Sequence, residues 1–183
     1  MAAAPSSSCS GQRQAPRYIR VESAFLRPYN NATRAAPFHS LQVADIGDVP
    51  INAFNLEKTI DIIEQFYTER VLPFGARPLS IGGDHVVPLP ILRAMAKTHG
   101  PMALVHIDAH ADVNDFHFGE PVTHGTTFRR AAEEGLLIND KVFQIGLRGT
   151  GWSAGEFDWC REQGFTVICP PDLKISPKPA GPP

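Results

Sequence analysis

Apolar residues along this chain recur at two spacings, and the two alternate. Over residues 56–72, Leu56, Ile60, Ile63, Phe66, Tyr67 and Val71 fall mostly three or four positions apart, the interval that lines one face of a helix. Pro73 and Gly75 stop that pattern. Residues 88–99 repeat it, with Leu89, Leu92, Met95 and Ala96 on one side, and Gly100 and Pro101 close it. Shorter helical patterns cover 127–137, where Gly135 sits near the end, and 155–163. Between the helices lie short apolar runs at 41–46, 78–81, 102–107, 142–147 and 165–168, each of strand length. The run 102–107 is almost continuously apolar, as in a strand covered on both faces.

Strand and helix in alternation spell βαβ units, hence an α/β fold with a mostly parallel sheet. Crossovers of such units are right-handed, so the loops at the carboxyl ends of the strands open along one edge of the sheet. Open α/β folds hold their sites there. Three segments follow from composition. Residues 1–16 are rich in Ala, Ser and Pro, lack any acid, and read as a disordered segment. Residues 17–169 carry the α/β domain. Residues 170–183 hold six prolines, which rules out a helix or a central strand, and read as a Pro-rich disordered tail. A sheet that stops at such a tail reads as cut short.

Composition then excludes several functions. With 43% hydrophobic and 20% charged residues over 183 positions, the chain can build one globular domain with a core. A formal net charge of -2 with scattered basic residues argues against nucleic acid and anionic membrane as partners. No apolar run nears the ~20 residues that span a bilayer. Cys9, Cys160 and Cys169 are odd in number and form no CxxC pair, which fits a reducing compartment. The expected location is cytoplasmic. Arg13, Arg17 and Arg20 ahead of the first acid, Glu22, keep a mitochondrial leader as the weaker alternative.

Six of the seven histidines fall between positions 85 and 124, so the chemistry is to be sought there. The run 102–107 leads straight into Asp108-Ala109-His110-Ala111-Asp112. In an extended chain, residues two apart share a side. Asp108, His110 and, if the extension persists, Asp112 then converge. Carboxylates held that close repel unless a cation lies between them. A second cluster, Gly82-Gly83-Asp84-His85, ends the run 78–81 one helix earlier, and one crossover brings both clusters to the same sheet edge. Singly, Asp84 reads as a helix N-cap, His85 as a hydrogen-bonded residue, and Asp108 and Asp112 as loop acids. Jointly, His85, Asp108, His110 and Asp112 read as a metal set.

Imidazole and carboxylate without thiolate favour Mn2+ or a similar ion over structural zinc. Asp108 lies at the centre of the set and is placed to bridge two metals, an arrangement that activates a hydroxide for hydrolysis. His106 shares the Asp108 face but reads first as a core histidine with a hydrogen-bond partner. His99 and His117 read as exposed. His124, ahead of a helix, is open between a proton shuttle or substrate contact and a plain helix-start residue. Asn114 and Asp115 are open between substrate contacts and turn residues.

These motifs resemble those of the ureohydrolase family: arginase, agmatinase, guanidinobutyrase, guanidinopropionase and formiminoglutamase. Ser80-Ile81-Gly82-Gly83-Asp84-His85 is similar to the family's first metal motif, and Val105-His106-Ile107-Asp108-Ala109-His110-Ala111-Asp112 to its second. The stretches starting at His124, Gln144 and Pro16 resemble the agmatinase branch more than arginase, and the similarity runs over roughly 16–168. The resemblance implies a three-layer α/β/α sandwich, of which 17–169 is a part, and a binuclear Mn2+ centre. It places His85 and Asp112 on one metal and His110 on the other, with Asp108 bridging. Asp108 and His124 would be catalytic, His124 assisting proton transfer, and Asn114 and His124 would meet the substrate. The reaction implied is hydrolysis of agmatine to putrescine and urea, a step of polyamine metabolism, or of 4-guanidinobutyrate or 3-guanidinopropionate. Intact members form homo-oligomers.

Two departures bear on activity. The family's third motif, a late Ser-x-Asp-x-Asp, has no match: after Asp112 come only Asp115, Asp140, Asp158 and Asp172, none spaced as Asp-x-Asp. The family's guanidinium-clamping glutamate lies beyond that motif and has no match either, and the segment before Pro16 departs from the family's first strand. The chain therefore reads as truncated at both ends, with an incomplete metal centre. The alternative function is a catalytically inactive fragment, or a partner of an intact ureohydrolase.

Overall fold

The structure, a computed structural model, describes residues 10–152 and 154–170. The chain packs as two compact units, Met1–Ile91 and Leu92–Pro183.

The first unit is helical. Ser10–Gln14 forms a 3-10 turn that runs into α1, Ala15–Glu22. Residues 10–16, expected to be disordered, are ordered. Pro16 is buried in the first turn of α1, where its missing N–H leaves no bond unmade. Residues 1–9 of that expectation, and 171–183 of the expected tail, lie outside the described residues. Arg20 on α1 pairs with Asp45 at 2.7 Å and Asp48 at 2.9 Å. A single-turn α2, Pro37–Ser40, precedes the segment expected as a strand at 41–46. That strand does not form, and Leu41, Val43 and Ile46 stay exposed. An apolar run is a strand only when a neighbour takes its backbone bonds.

The spacing at 56–72 does yield a helix, α3, Leu56–Arg70. The Asn55 side chain caps it by accepting the Lys58 N–H at 2.8 Å. Ile60, Ile63 and Tyr67 form its buried face, and Gly75 ends the following turn at φ +62°. The strand expected at 78–81 is also irregular coil, with Leu79 exposed. The Tyr67 and Ser80 hydroxyls hydrogen-bond each other there. Then α4, Pro88–His99, forms over the range its spacing gives and carries the chain across the unit boundary at Ile91.

The second unit is an α/β layer. β1 (Met102–Ile107), β2 (Leu137–Ile145) and β3 (Thr166–Ile168) form a parallel sheet in the order β1-β2-β3. α5, Thr127–Glu133, packs on β2, and α6, Glu156–Glu162, on β3. This is the parallel sheet with helices that the alternation predicts, in incomplete form. Register pairs Leu104 with Val142 and runs evenly to Ile107 with Ile145. The helix expected over 127–137 stops at Glu133, because Gly135 takes the left-handed φ +69° and turns the chain into β2. β2 therefore starts at Leu137, not at residue 142. β1 is not covered on both faces: Val105 is 64% and Ile107 77% exposed, while His106 is 5%. β1 stands at the sheet edge with one face open. Among the described residues no helix is long and apolar enough to cross a membrane.

Candidate metal centre

β1 ends in the second ligand motif, and the chain bends at once. Asp112 takes φ +52°, in the left-handed region, at a cost of roughly 1–2 kcal/mol for a residue with a Cβ. The even alternation expected to aim Asp108, His110 and Asp112 one way therefore breaks at Asp112. Neighbouring segments hold the bend. Asp108 N–H donates to the Ile145 carbonyl at 3.1 Å. The Ala109 carbonyl accepts from Arg148 at 2.8 Å and from Gly149 at 2.7 Å. The Ala111 carbonyl accepts the Gln144 side-chain amide at 2.8 Å. The Asp112 carbonyl accepts from Phe128, and the Asn114 N–H donates to Gly125, both at 3.0 Å.

Within the bend, Asp108 Oδ1 accepts the His110 N–H at 2.9 Å, and His110 Nδ1 stands 3.6 Å from the same carboxylate oxygen. Two donors about 2.1 Å from one cation sit roughly 3.0–3.4 Å apart, so a small closure of this pair fits a metal. His106 Nε2 lies 3.7 Å from Asp108 Oδ2. A ring nitrogen of His106 and a carboxylate oxygen of Asp112 lie within 4.8 Å. The set is imidazole and carboxylate, suited to a divalent ion. His110 rests on Gly149, where any Cβ would collide with its ring. Nothing local in the sequence singles out Gly149, which lies 39 positions after His110.

His85 belongs to the first unit and is half-buried in the turn ahead of α4. Asp84 is buried and its Oδ1 accepts the Val86 N–H at 3.0 Å, which makes an Asx turn four residues ahead of α4 in place of the helix cap its position suggests. A Cβ on Gly83 would strike the Gln12 carbonyl, so this turn needs glycine for clearance.

His124 starts a 3-10 turn, His124–Thr126, that Thr123 and Thr126 brace with a reciprocal capping box. Its ring meets that of His117 edge-on at 4.8 Å. His117, expected to be exposed, is 4% exposed. It packs against Phe118 at 4.3 Å and Trp152 at 5.1 Å, and its Nδ1 lies 3.2 Å from Thr123 Oγ1. Of those partners Trp152 comes from a loop 35 positions on, which no local pattern announces. Burial holds the His117 pKa below the ordinary imidazole range; His124 adds to that, and Asp112 and Glu156 oppose it. The Asn114 side-chain amide donates to the Gly125 carbonyl at 3.1 Å, joining the two loops. Asp115 accepts from Arg130 at 2.6 Å. His106 is the core histidine its position suggests, with Gln144 Nε2 3.3 Å from its Nδ1 and Phe128 at 4.2 Å.

The sequence pattern of the arginase family matches residues 3–177 of this chain, wider than the 16–168 that the motifs span. Guanidinobutyrase from Pseudomonas aeruginosa is 62% identical over 159 residues, 87% of this chain and 50% of that protein. Among solved structures, proclavaminate amidino hydrolase from Streptomyces clavuligerus superposes with a TM-score of 0.83 at 31% identity, covering 93% of this chain and 56% of that one. Trypanosoma cruzi formiminoglutamase, solved with Mn2+, superposes with a TM-score of 0.75 at 25% identity, covering 87% and 53%. The chain spans about half the length of the curated relatives it matches.

Proposed function

The chain belongs to the arginase family, and on that premise we propose that it is the metal-gathering part of a guanidino hydrolase using Mn2+. The observation that carries the proposal is the bend after β1, where Asp108 and His110 face each other at 3.6 Å under hydrogen bonds from three other segments. His85, Asp108, His110 and Asp112 would hold the metal. A divalent ion such as Mn2+ held there would supply Lewis-acid charge for hydrolysis. His124 carries protons on its ring nitrogens between the attacking water and the leaving amine. Asn114, whose amide nitrogen is engaged on Gly125, presents its oxygen to a guanidinium N–H.

Identity of 62% to a guanidinobutyrase makes 4-guanidinobutyrate the first substrate to try. Agmatine, which would yield putrescine, and 3-guanidinopropionate follow. A cytoplasmic homo-oligomer completes the proposal, with a mitochondrial location as the alternative.

Calorimetric titration with Mn2+ tests the metal set. The folded protein should bind and Asp108→Ala should not; no binding by the folded wild type removes the proposal. Urea release from 4-guanidinobutyrate with Mn2+ present then separates a hydrolase from an inactive metal-binding chain.

A further inference from the structure

His106 and Gln144 lie opposite each other in the ladder between β1 and β2. Both are buried, Gln144 fully. The Gln144 amide has one end that only donates and one that only accepts. The Ala111 carbonyl, 2.8 Å from the amide nitrogen, can only accept. A reversed amide would set two acceptors against each other, so the chemistry fixes the orientation. The same nitrogen is 3.3 Å from His106 Nδ1 and has a second hydrogen to give. His106 Nδ1 is then the accepting, bare nitrogen. In a neutral ring the proton sits on Nε2, which faces Asp108 Oδ2 at 3.7 Å. Phe128 lies against the ring at 4.2 Å and resists its rotation.

We infer that Gln144 sets the tautomer of His106, so that His106 is a positioning residue presenting an N–H edge to Asp108 and not a metal ligand. Distance alone would admit His106 beside Asp112 as a cation-binding pair. A nitrogen that carries a proton has no lone pair to offer, and the tautomer removes it. The His110 N–H donates to one Asp108 oxygen, while the buried His106 edge stands 3.7 Å from the other, beyond hydrogen-bond distance, and favours its orientation electrostatically. Partners of this kind fix the orientation of a ligating group. Gln144 Oε1 is buried without a hydrogen-bond partner among the described residues. An unsatisfied buried oxygen is a cost, tolerated here because the nitrogen end of the same amide holds both Ala111 and His106. The tautomer stands by itself; its effect on metal binding rests on the proposed function.

The tautomer can be read directly. In metal-free protein labelled with 15N-histidine, at about pH 8 and so above the ordinary imidazole range, long-range 1H–15N spectra should show His106 protonated at Nε2 only. Protonation at Nδ1, or at both nitrogens, overturns the inference. Gln144→Glu turns the donor into an acceptor and should move the proton to Nδ1; an unchanged spectrum overturns the role of Gln144. Should that variant fail to fold, Gln144→Met decides the same point, by losing the Nε2 preference or keeping it. His106→Leu should weaken Mn2+ binding ~10- to 100-fold, and His106→Gln, an amide N–H of similar reach, should recover most of it. Equal affinity in His106→Leu, or no recovery in His106→Gln, overturns the link to Asp108. A wild type that shows the Nε2 proton but takes up no Mn2+ supports the tautomer and removes the proposed function instead.

Discussion

The two metal-type loops are built of similar residues and held in different ways. The loop ending at His85 carries a local turn, in which Asp84 bonds to Val86 and Val87 two and three positions on. The apolar run before it, 78–81, has no strand neighbour among the described residues, and Leu79 is 92% exposed. The loop 108–115 instead follows a strand in register with β2 and takes hydrogen bonds from residues 125–128 and 144–149. A paired strand thus passes its geometry on to the loop that follows it. A motif gives the identity of the ligands, but their placement comes from the strand beside them.

The largest test removes what supports that pairing. Leu147, 1% exposed, lies just after β2, and Leu147→Ala should cost about 2–5 kcal/mol. Ile63, 0% exposed in α3, should cost as much when truncated to alanine. Denaturant melts give the totals, and hydrogen exchange separates the two. Leu147→Ala should deprotect the amides of 108–112, while Ile63→Ala leaves them slow. If both variants loosen that loop equally, the contrast between the two loops is broken.

Two glycines sharpen the comparison at smaller scale. A Cβ at Gly149 would collide with the His110 ring and sit 3.0 Å from the Ala109 carbonyl. Gly149→Ala should therefore cost about 1–3 kcal/mol and displace His110. A Cβ at Gly82 meets only the Val87 side chain at 3.5–3.6 Å, an ordinary contact. Gly82→Ala should stay within about 0.5 kcal/mol. Thermal melts of the two variants check the difference.

The same contrast explains what the sequence made legible. α3 and α4 follow their patterns closely because helix spacing is a local signal, and β1 forms over its expected range because β2 takes its backbone bonds. The runs at 41–46 and 78–81 carry the same strand signal and form none, since a strand also needs a neighbour that periodicity cannot name. At the site, the Asp108–His110 pairing was legible from their spacing. The left-handed turn at Asp112 was not, because it depends on bonds from Phe128 and Gln144. The burial of His117 has no local signal for the same reason: Trp152 lies 35 positions along the chain.

Ion pairs should matter less than packing, and less in the first unit than in the second. Arg130, with a side chain 17% exposed, reaches Asp115 at 2.6 Å and Glu133 at 3.1 Å, bracing the end of the ligand loop against α5. Arg130→Ala should cost about 0.5–1 kcal/mol, partly screened by salt. Arg20, with its partners Asp45 and Asp48 at the surface, should give a smaller loss that high salt removes. Denaturant melts at low and high ionic strength test the ranking. An Arg20→Ala loss that exceeds the Arg130→Ala loss at both salts reverses it.

The smallest effect is a pH dependence, and its sign follows from burial. The His117 pKa is lowered in the folded protein, chiefly by desolvation. Below about pH 6.5 the unfolded chain takes up a proton at this residue that the folded chain resists. Stability from this site is therefore complete above the ordinary imidazole range and is lost as the pH falls through it, at no more than about 1.4 kcal/mol per pH unit. His117→Phe keeps an aromatic ring among Phe118, His124 and Trp152 but removes the titration. Its stability should vary less than the wild type's between about pH 6.5 and 5, and hydrogen exchange should place the wild type's acid loosening at 112–125 before α3. Equal acid sensitivity in both proteins would mean that other groups set the slope, and the ligand loop would lose its claim to respond to pH separately from the first unit.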